Sequence, residues 1–370
     1  MNHKLLTKIT GLLGISICAA QAQFTAGDLV VLRDGTGSSA LSSAGTAIFL
    51  DQYTTSPGGF VSTTTIPSTG LSALVDSGTA TSEGQLSLSS DGRYLVVAGY
   101  NTNAGTTGVS GSSDATLRRG IATVDYNGNY SLVATTSTAF SGNNIRSGTT
   151  DGNGNFWAVG ANSGIAYMGT GPTNIVSTTS LNNRVIQNVG GNLYFSTASG
   201  TARGVYKITG NPTSGSSTAV QLINASTLGT ANTSDFAFNS SMTVAYVADT
   251  DAYTSATGLG GIEKWTSTDG ITWSFQYSLK SAGGSGANAL VVDFSGANPI
   301  IYATSGDGTT LFDVTDTGSS ATDTTLDTAA NNEAFRGLEY APVPEPSVLA
   351  LCGLGIGFPA LRWLRRSRKA

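Results

Sequence analysis

Histidine and cysteine are nearly absent from this chain of 370 residues. The one histidine is His3, and the two cysteines are Cys18 and Cys352, so all three lie near the ends. The long middle of the chain therefore cannot use Ser-His-Asp or Cys-His nucleophilic catalysis. It also cannot hold zinc through Cys and His, and it cannot form a disulfide framework.

Charge is scarce as well. Charged residues make up 11% of the chain, less than half of the roughly 25% usual in soluble proteins. Seven of the 18 basic residues lie near the ends, namely Lys4, Lys8, Arg362, Arg365, Arg366, Arg368 and Lys369. Without them, 11 basic residues stand against 23 acidic ones, a net charge of −12. A body this acidic repels phosphate backbones, which argues against nucleic acid as a partner.

Helical patterns are the third absence. Between residues 24 and 342 no window keeps apolar residues at i, i+3, i+4 and i+7 over three turns. Short β-branched and aromatic runs recur instead, bounded by Gly, Asn, Asp and Ser. Regular aromatic residues favour a folded chain over a disordered one. Because Asn-Gly favours a type I′ turn, Asn127-Gly128 predicts a hairpin between strands at 120–126 and 130–133.

A loose repeat of about 40 to 50 residues runs along the middle of the chain, and such repeats with four strands each are typical of a β-propeller. Each unit has a strand, a turn of Gly, Asn, Asp or Ser, a strand rich in Tyr and Val, a Gly-led strand and an outer strand. The five units contain LSLSSDGRYLVVAG, SGTTDGNGNFWAVG, VIQNVGGNLYFSTAS, SDFAFNSSMTVAYVAD and ANALVVDFSGANPIIYATSG. The alternative architecture is a β-solenoid or adhesin-like stack, whose coils are shorter and more regular.

The two ends of the body predict how the ring closes. The segment 334–340 has the pattern of an innermost strand with no partners after it, whereas strands predicted at 29–32, 47–50 and 59–65 lack an innermost partner. Pairing them completes a mixed blade. The predicted fold is therefore an all-β propeller over residues 23–342 with six four-stranded blades, or seven if residues 69–86 contain further strands.

Residues 1–22 have the three parts of a secretory signal peptide. Lys4 and Lys8 give a positive start, residues 9–20 are apolar, and Ala20-Gln21-Ala22 offers small residues to signal peptidase. The alternative, a transmembrane anchor, needs a longer apolar run. We expect export of the chain, with cleavage after Ala22.

Residues 343–370 also have three parts in a fixed order. Val343-Pro344-Glu345-Pro346 comes first, and an uncharged, mostly apolar stretch follows. If Arg362 reaches the interface, residues 347–364 form a transmembrane helix of marginal length. A basic segment closes the chain and stays in the cytoplasm by the positive-inside rule; it consists of Arg365, Arg366, Arg368 and Lys369.

This combination resembles the PEP-CTERM sorting signal of Gram-negative bacteria, which is also called the ice-binding protein C-terminal domain without implying ice binding. The resemblance covers residues 343–370. It implies that an exosortase recognises Pro344, Glu345 and Pro346 and removes the tail, with the basic segment as a stop-transfer signal. Pro359 departs from the pattern, because it would kink the helix. A plain C-terminal membrane anchor is the alternative, and both interpretations place the tail in the inner membrane at some stage.

The segment 267–273, Ser-Thr-Asp-Gly-Ile-Thr-Trp, resembles the Asp-box hairpin of sialidase-type propellers, one residue shorter than usual. That motif is structural: the Asp side chain fixes a turn while the Trp packs. Sialidase chemistry needs clustered arginines, and the arginines of the body are scattered along the sequence: Arg33, Arg93, Arg118, Arg119, Arg146, Arg184, Arg203 and Arg336.

Two acidic segments, 151–155 and 249–251, have oxygen spacing similar to that of calcium loops. The first lacks the closing Glu and lies where a hairpin turn is expected, so no metal or other cofactor is predicted.

Two functions remain open for the body. The first is an exported, non-catalytic surface or matrix protein, whose propeller binds a polysaccharide or another protein. The second is a propeller lyase or hydrolase that uses Asp, Glu and Tyr. Three carboxylates and a Tyr converging at the central mouth would favour the enzyme, whereas a mouth lined by Ser, Thr and Gly would exclude it. The sequence favours the first, with a transient stay in the inner membrane before release to the cell surface or medium.

Overall fold

The computed structural model describes residues 24–229 and 231–344. Within this part of the chain there are 25 β-strands and three short 3-10 turns, at Gly200–Ala202, Ala225–Leu228 and Ala282–Gly284. In chain order the strands are β1 (Leu29–Asp34), β2 (Gly45–Tyr53), β3 (Phe60–Thr65), β4 (Val75–Ser77), β5 (Ser87–Leu88), β6 (Tyr94–Tyr100), β7 (Arg119–Asp125), β8 (Tyr130–Thr136), β9 (Ile145–Thr150), β10 (Phe156–Gly160), β11 (Ile165–Tyr167), β12 (Asn174–Ser177), β13 (Asn183–Val189), β14 (Asn192–Thr197), β15 (Gly204–Ile208), β16 (Val220–Asn224), β17 (Thr233–Phe238), β18 (Val244–Thr254), β19 (Leu259–Ser267), β20 (Trp273–Leu279), β21 (Ala287–Asp293), β22 (Ile300–Ser305), β23 (Thr310–Thr315), β24 (Asp323–Thr328) and β25 (Ala334–Tyr340).

The strands form antiparallel sheets in a propeller-like arrangement, which confirms the predicted all-β class. Four sheets have four strands each in chain order, β9 to β12, β13 to β16, β17 to β20 and β21 to β24. The remaining nine strands form one sheet with the path β25-β1-β2-β4-β6-β7-β8, in which β3 pairs with β2 and β5 with β6. The short β4 joins the two parts of this larger sheet by pairing with both β2 and β6.

The predicted closure of the ring is confirmed. The last strand, β25, pairs antiparallel with the first, β1, in a register that places Leu29 opposite Tyr340 and Asp34 opposite Ala334. Residues about 300 positions apart are thereby held in one sheet. The predicted hairpin at Asn127-Gly128 is also confirmed, since β7 ends at Asp125 and β8 begins at Tyr130.

Each group of strands has an innermost strand next to the central axis, and these innermost strands all run in the same direction along it. They are β5, β9, β13, β17, β21 and β25. For example, Gln85 N donates to Arg146 O at 3.1 Å and Ser90 N donates to Thr150 O at 3.1 Å, so β5 and β9 advance together. We call the side on which these strands begin the top face and the side on which they end the bottom face. Gly337 allows β25 to approach the segment before β5, because a Cβ there would lie 2.4 Å from Gly84 O.

The apolar core is divided among six clusters in the described residues, each built where two successive groups of strands face one another. Trp157, Phe195 and Phe312 are among the largest fully buried side chains. Burial of this apolar surface, at about 25 cal/mol per Å², is the main force that holds neighbouring sheets together.

Several sequence predictions concern residues outside the described ranges. These are the signal peptide at 1–22 with its cleavage site at Ala20 and Ala22, the helix at 347–364, and most of the sorting signal: Glu345, Pro346, Arg365, Arg366, Arg368 and Lys369. No helix of the described residues is long and apolar enough to cross a bilayer.

Candidate functional site

Three polar side chains meet at the centre of the ring and fill it there. Gln85 Nε2 donates to Asn288 Oδ1 at 3.1 Å, and Ser234 Oγ donates to the same oxygen at 3.3 Å. These three side chains are at most 2% exposed. We call them the axial plug. It separates a mouth on the top face from a mouth on the bottom face.

Three carboxylates and a tyrosine converge below the top face, between the two parts of the large sheet. Arg336 Nε pairs with Asp34 Oδ2 at 3.1 Å, and Tyr100 donates to Glu83 Oε1 at 2.6 Å. Burial raises the pKa of Asp34 to about 6 and that of Glu83 to about 7, and it raises the pKa of Asp76 well above its usual value. The cluster therefore retains protons near neutral pH.

This acidic cluster is inaccessible to a substrate. The side chains of Asp34, Asp76, Glu83 and Tyr100 are fully buried, and Glu83 also accepts hydrogen bonds from Asn144 Nδ2 and from Ser77 N. The residue types are those that would favour an enzyme, but they lie inside the protein and not at a mouth. Their position, at the junction of β1, β4 and β25, indicates a structural role in ring closure.

Two arginines lie together on the top face. Arg146 is on β9 and Arg184 is on β13, and both are near the start of their strands. Burial, and then the positive charge of Arg184, lowers the pKa of Arg146 to about 9, and burial also lowers the pKa of Arg184. Neither guanidinium forms an ion pair with a carboxylate of the described residues. These two arginines are 38 positions apart in the sequence and become neighbours in the fold.

Asparagines surround these two arginines. Arg146 Nη1 donates to Asn182 Oδ1 at 2.5 Å and to Asn183 O at 2.9 Å, and Arg184 Nη2 donates to Asn232 Oδ1 at 3.4 Å. The group spans the starts of β9, β13 and β17, three neighbouring innermost strands. We call it the arginine mouth.

The bottom face has a cavity of about 190 Å³ with a different character. Its lining is mainly apolar, and the one carboxylate in it is Glu339. Burial is the main cause that raises the pKa of Glu339 to about 8, and the charge of nearby Asp235 adds to it. Asp235 is held by backbone N–H donors from Phe236 and Leu290, at 2.8 and 3.0 Å.

Both ends of the described chain also lie on the bottom face. Phe24 N donates to Tyr126 O at 2.9 Å and Val343 N donates to Gly92 O at 2.9 Å. Both acceptors lie in or next to turns that follow strands running toward the bottom face. Val343 and Pro344 help line a neighbouring cavity of about 410 Å³. Of the predicted sorting motif, Pro344 is the residue that lies within the described part.

The Asp-box-like segment forms the predicted hairpin, between β19 and β20. Asp269 Oδ1 accepts from Ile271 N at 2.8 Å and from Thr272 N at 2.7 Å, and these bonds lower the pKa of Asp269 to about 2. Trp273 packs against Phe238 with ring centroids 5.3 Å apart. The role of this segment is therefore structural, as predicted.

The calcium-like spacings have other roles in the structure. The oxygens of Asp151 accept from Asn153 N and from the backbone and side chain of Asn155, which closes a turn. Asp249 accepts from Asn232 N and Asp251 N. In the described ranges no group of three or more His, Cys, Asp or Glu side chains is arranged to hold a metal ion.

Comparison with known proteins gives likeness of fold only. No family description matches the sequence, and no characterised protein matches it. Among solved structures, a "putative 6-phosphogluconolactonase" from Bacteroides fragilis NCTC 9343 is 15% identical, with 82% of each chain covered and a TM-score of 0.47. A protein given the same description from Bacteroides uniformis ATCC 8492 is 13% identical over 81% of this chain and 82% of its own, with a TM-score of 0.45. A functionally unknown protein from Desulfotomaculum acetoxidans DSM 771 is 11% identical over 85% and 90%, also with a TM-score of 0.45. Likenesses this weak carry no information about activity.

Proposed function

We propose that this chain is an exported, non-catalytic binding module of the cell surface or extracellular matrix, sorted by an exosortase through its PEP-CTERM tail. The main support is the extent of the ring. Among the described residues, Phe24, two residues after the predicted signal-peptidase site, and Val343, next to Pro344, both donate backbone hydrogen bonds to the ring. Processing at both predicted sites would leave all 25 described strands in place.

We also propose that the ring has six blades. The four separate sheets would be four of them, and β4 would bridge two more, made of β25-β1-β2-β3 and β5-β6-β7-β8. Six apolar clusters, one at each junction between neighbouring groups of strands, support this count.

The non-catalytic part of the proposal rests on how the reactive groups are held. The acidic cluster is sealed from solvent, and the oxygens of Asp235 are bound by backbone donors. The axial plug also prevents groups of the top face from meeting groups of the bottom face at one substrate. At the top face the arginine mouth presents the partly exposed side chains of Asn182, Arg184 and Asn232, which are suited to binding.

Sorting is tested by mass spectrometry of the protein from its native host. We expect the extracellular form to begin near Gln23 and to lack the residues after the Pro-Glu-Pro motif. Replacing Pro344, Glu345 and Pro346 by alanine should leave the tail attached and the protein in the inner membrane, whereas a matched change at exposed Pro172 should not. Detection of residues 366–370 on mature wild-type protein outside the cell would overturn the sorting proposal.

A second candidate function is supported by one observation. Glu339, with a pKa of about 8, lies in a small cavity beside Asp235, and carboxylates of raised pKa are used as general acids. Incubation with polysaccharides and measurement of released reducing or unsaturated ends separates the two functions. We expect no turnover. Steady release by the wild type that is lost in Glu339→Gln, but kept in Glu333→Gln, would establish an enzyme.

A further inference from the structure

The arginine mouth contains two positive charges that form no ion pair with a carboxylate of the described residues, although the charge of nearby Glu83 favours the charged form of Arg146. Arg146 is 7% exposed, and Arg184 is partly buried one strand away. Burying a guanidinium without a paired charge is costly, and two together cost more because they repel each other. Arg33 pairs with Asp51 and Glu333, and Arg336 pairs with Asp34. Buried Arg119 forms no ion pair and donates to three backbone carbonyls instead. An oxyanion bound between Arg146 and Arg184 would remove this cost.

The mouth also has one orphan donor and one orphan acceptor. Arg146 Nε is buried with no acceptor among the described residues, and Asn183 Oδ1 is buried with no donor. The orientation of the Asn183 amide is fixed, because its Nδ2 donates to Ser180 O at 3.1 Å. The backbone carbonyl of Asn183 also accepts a hydrogen bond from Arg146 Nη1 at 2.9 Å. Both orphan atoms are buried beneath the partly exposed side chains of Asn182 and Arg184 at this end of β13.

We infer that the arginine mouth binds a hydroxy-carboxylate, specifically a uronic acid residue of an acidic polysaccharide. The carboxylate would lie between the two guanidinium groups, which suit it as planar donors. Neighbouring sugar hydroxyls would contact the partly exposed amides of Asn182 and Asn232. This inference rests on the proposed function as a binding module and names its ligand.

The charge of the whole ring favours a carboxylated sugar over a densely charged anion. Between residues 23 and 342 the chain carries 22 acidic and 11 basic residues, so a polyphosphate or a heavily sulfated chain is repelled before it reaches the mouth. A polymer with one carboxylate per sugar has a lower charge density than these chains and is repelled less.

The test is calorimetric titration of the mature protein, purified from its host, with galacturonate and with a short oligogalacturonate. We expect binding of both, no binding of neutral galactose, and weaker binding of acetate and inorganic phosphate, which lack the sugar hydroxyls. Arg184→Gln should weaken galacturonate binding tenfold or more, the loss of one charge-assisted hydrogen-bond pair. Arg184→Lys should recover part of that loss.

Arg203→Gln is the matched control. Arg203 precedes β15, the third strand from the axis, and its Nη1 donates to Gly229 O away from the mouth. It should bind like the wild type. Because Arg146 is buried, the folding of Arg146→Gln is checked by a melting curve before its binding is measured. In the same assay, galacturonate should raise the melting temperature of the wild type but not that of Arg184→Gln.

The outcomes separate this inference from the function on which it rests. No binding of galacturonate or its oligomer, or equal binding by Arg184→Gln, overturns the inference and leaves sorting and export unaffected. Equal affinity for phosphate and galacturonate overturns the hydroxy-carboxylate assignment. Galacturonate binding with turnover of the oligomer keeps the arginine site but overturns the non-catalytic function.

Discussion

At the scale of single residues, several carboxylates of the ring are held away from water. Glu263 is 1% exposed, and its Oε2 accepts from Trp265 Nε1 at 2.9 Å. Burial, and then the charge of Asp249, raises the pKa of Glu263 to about 8. Burial likewise raises the pKa of Asp235 to about 7 and that of Glu339 to about 8. These groups are protonated in the folded ring at a pH where the unfolded chain has released its protons.

This predicts that the ring loses stability as the pH rises. The folded state binds more protons than the unfolded state between about pH 4.5 and pH 8, so the free energy of unfolding falls across that window, by up to about 1.4 kcal/mol per pH unit for each such proton. Urea denaturation at pH 5, 6, 7 and 8 measures the slope. Glu263→Gln should flatten it. Asp269→Asn should leave the slope unchanged, since the pKa of Asp269 is about 2. A slope of the opposite sign would contradict the assignment.

Residue roles were predictable from the sequence where they are local. The turn at Asp269 depends on donors two and three residues away, so a short motif is sufficient to predict it. The arginine mouth was not predictable, because Arg146 and Arg184 are 38 positions apart in sequence and meet only when β9 and β13 lie side by side. A basic residue near the start of two successive innermost strands is the signal that could have found the pair.

At the scale of strands, β25 is the element on which the ring depends. It pairs with β1, and its Arg336 reaches Asp34 Oδ2 and also Gly78 O, at 3.1 and 3.0 Å. Thr304 Oγ1 donates to Arg336 O at 2.7 Å, which ties β25 to β22. One buried side chain thus connects both ends of the chain.

Arg336→Ala should therefore cost about 3–5 kcal/mol, the usual loss when one partner of a buried pair is removed. Chemical denaturation at pH 8, where Asp34 is ionised, gives the value. A matched change at exposed Arg118 should stay within about 0.5 kcal/mol. If Arg336→Ala loses no more than Arg118→Ala, the closing role of Arg336 is wrong.

The pairing of β25 with β1 was predictable because both patterns were visible as incomplete blades. The short β4 was not, because three residues give too short a pattern to recognise as a strand. Its pairing with both β2 and β6 is a tertiary contact, and it merges two groups of strands that the repeat pattern kept apart.

At the scale of the whole molecule, the arginine mouth and the chain ends lie on opposite faces. In a precursor held in the membrane by its tail, the top face should point away from the bilayer. The ring has no cysteine, so single cysteines can report this orientation. Leu181 lies two residues before β13 on the top face, and Val189 ends β13 on the bottom face; they are 50% and 41% exposed.

We expect Leu181→Cys to react faster than Val189→Cys with a bulky maleimide when the precursor is tethered in exosortase-deficient spheroplasts. After tail removal the two rates should converge, because both side chains are then open to the medium. Equal rates in the tethered precursor would contradict this orientation.

The axial plug has a consequence for how a polymer can be handled. Since Gln85, Asn288 and Ser234 close the centre, nothing can be threaded through this ring. A long glycan would have to lie sideways against one rim, and it could be gripped anywhere along its length without a free terminus. Many copies of the protein could then bind side by side along a single glycan chain.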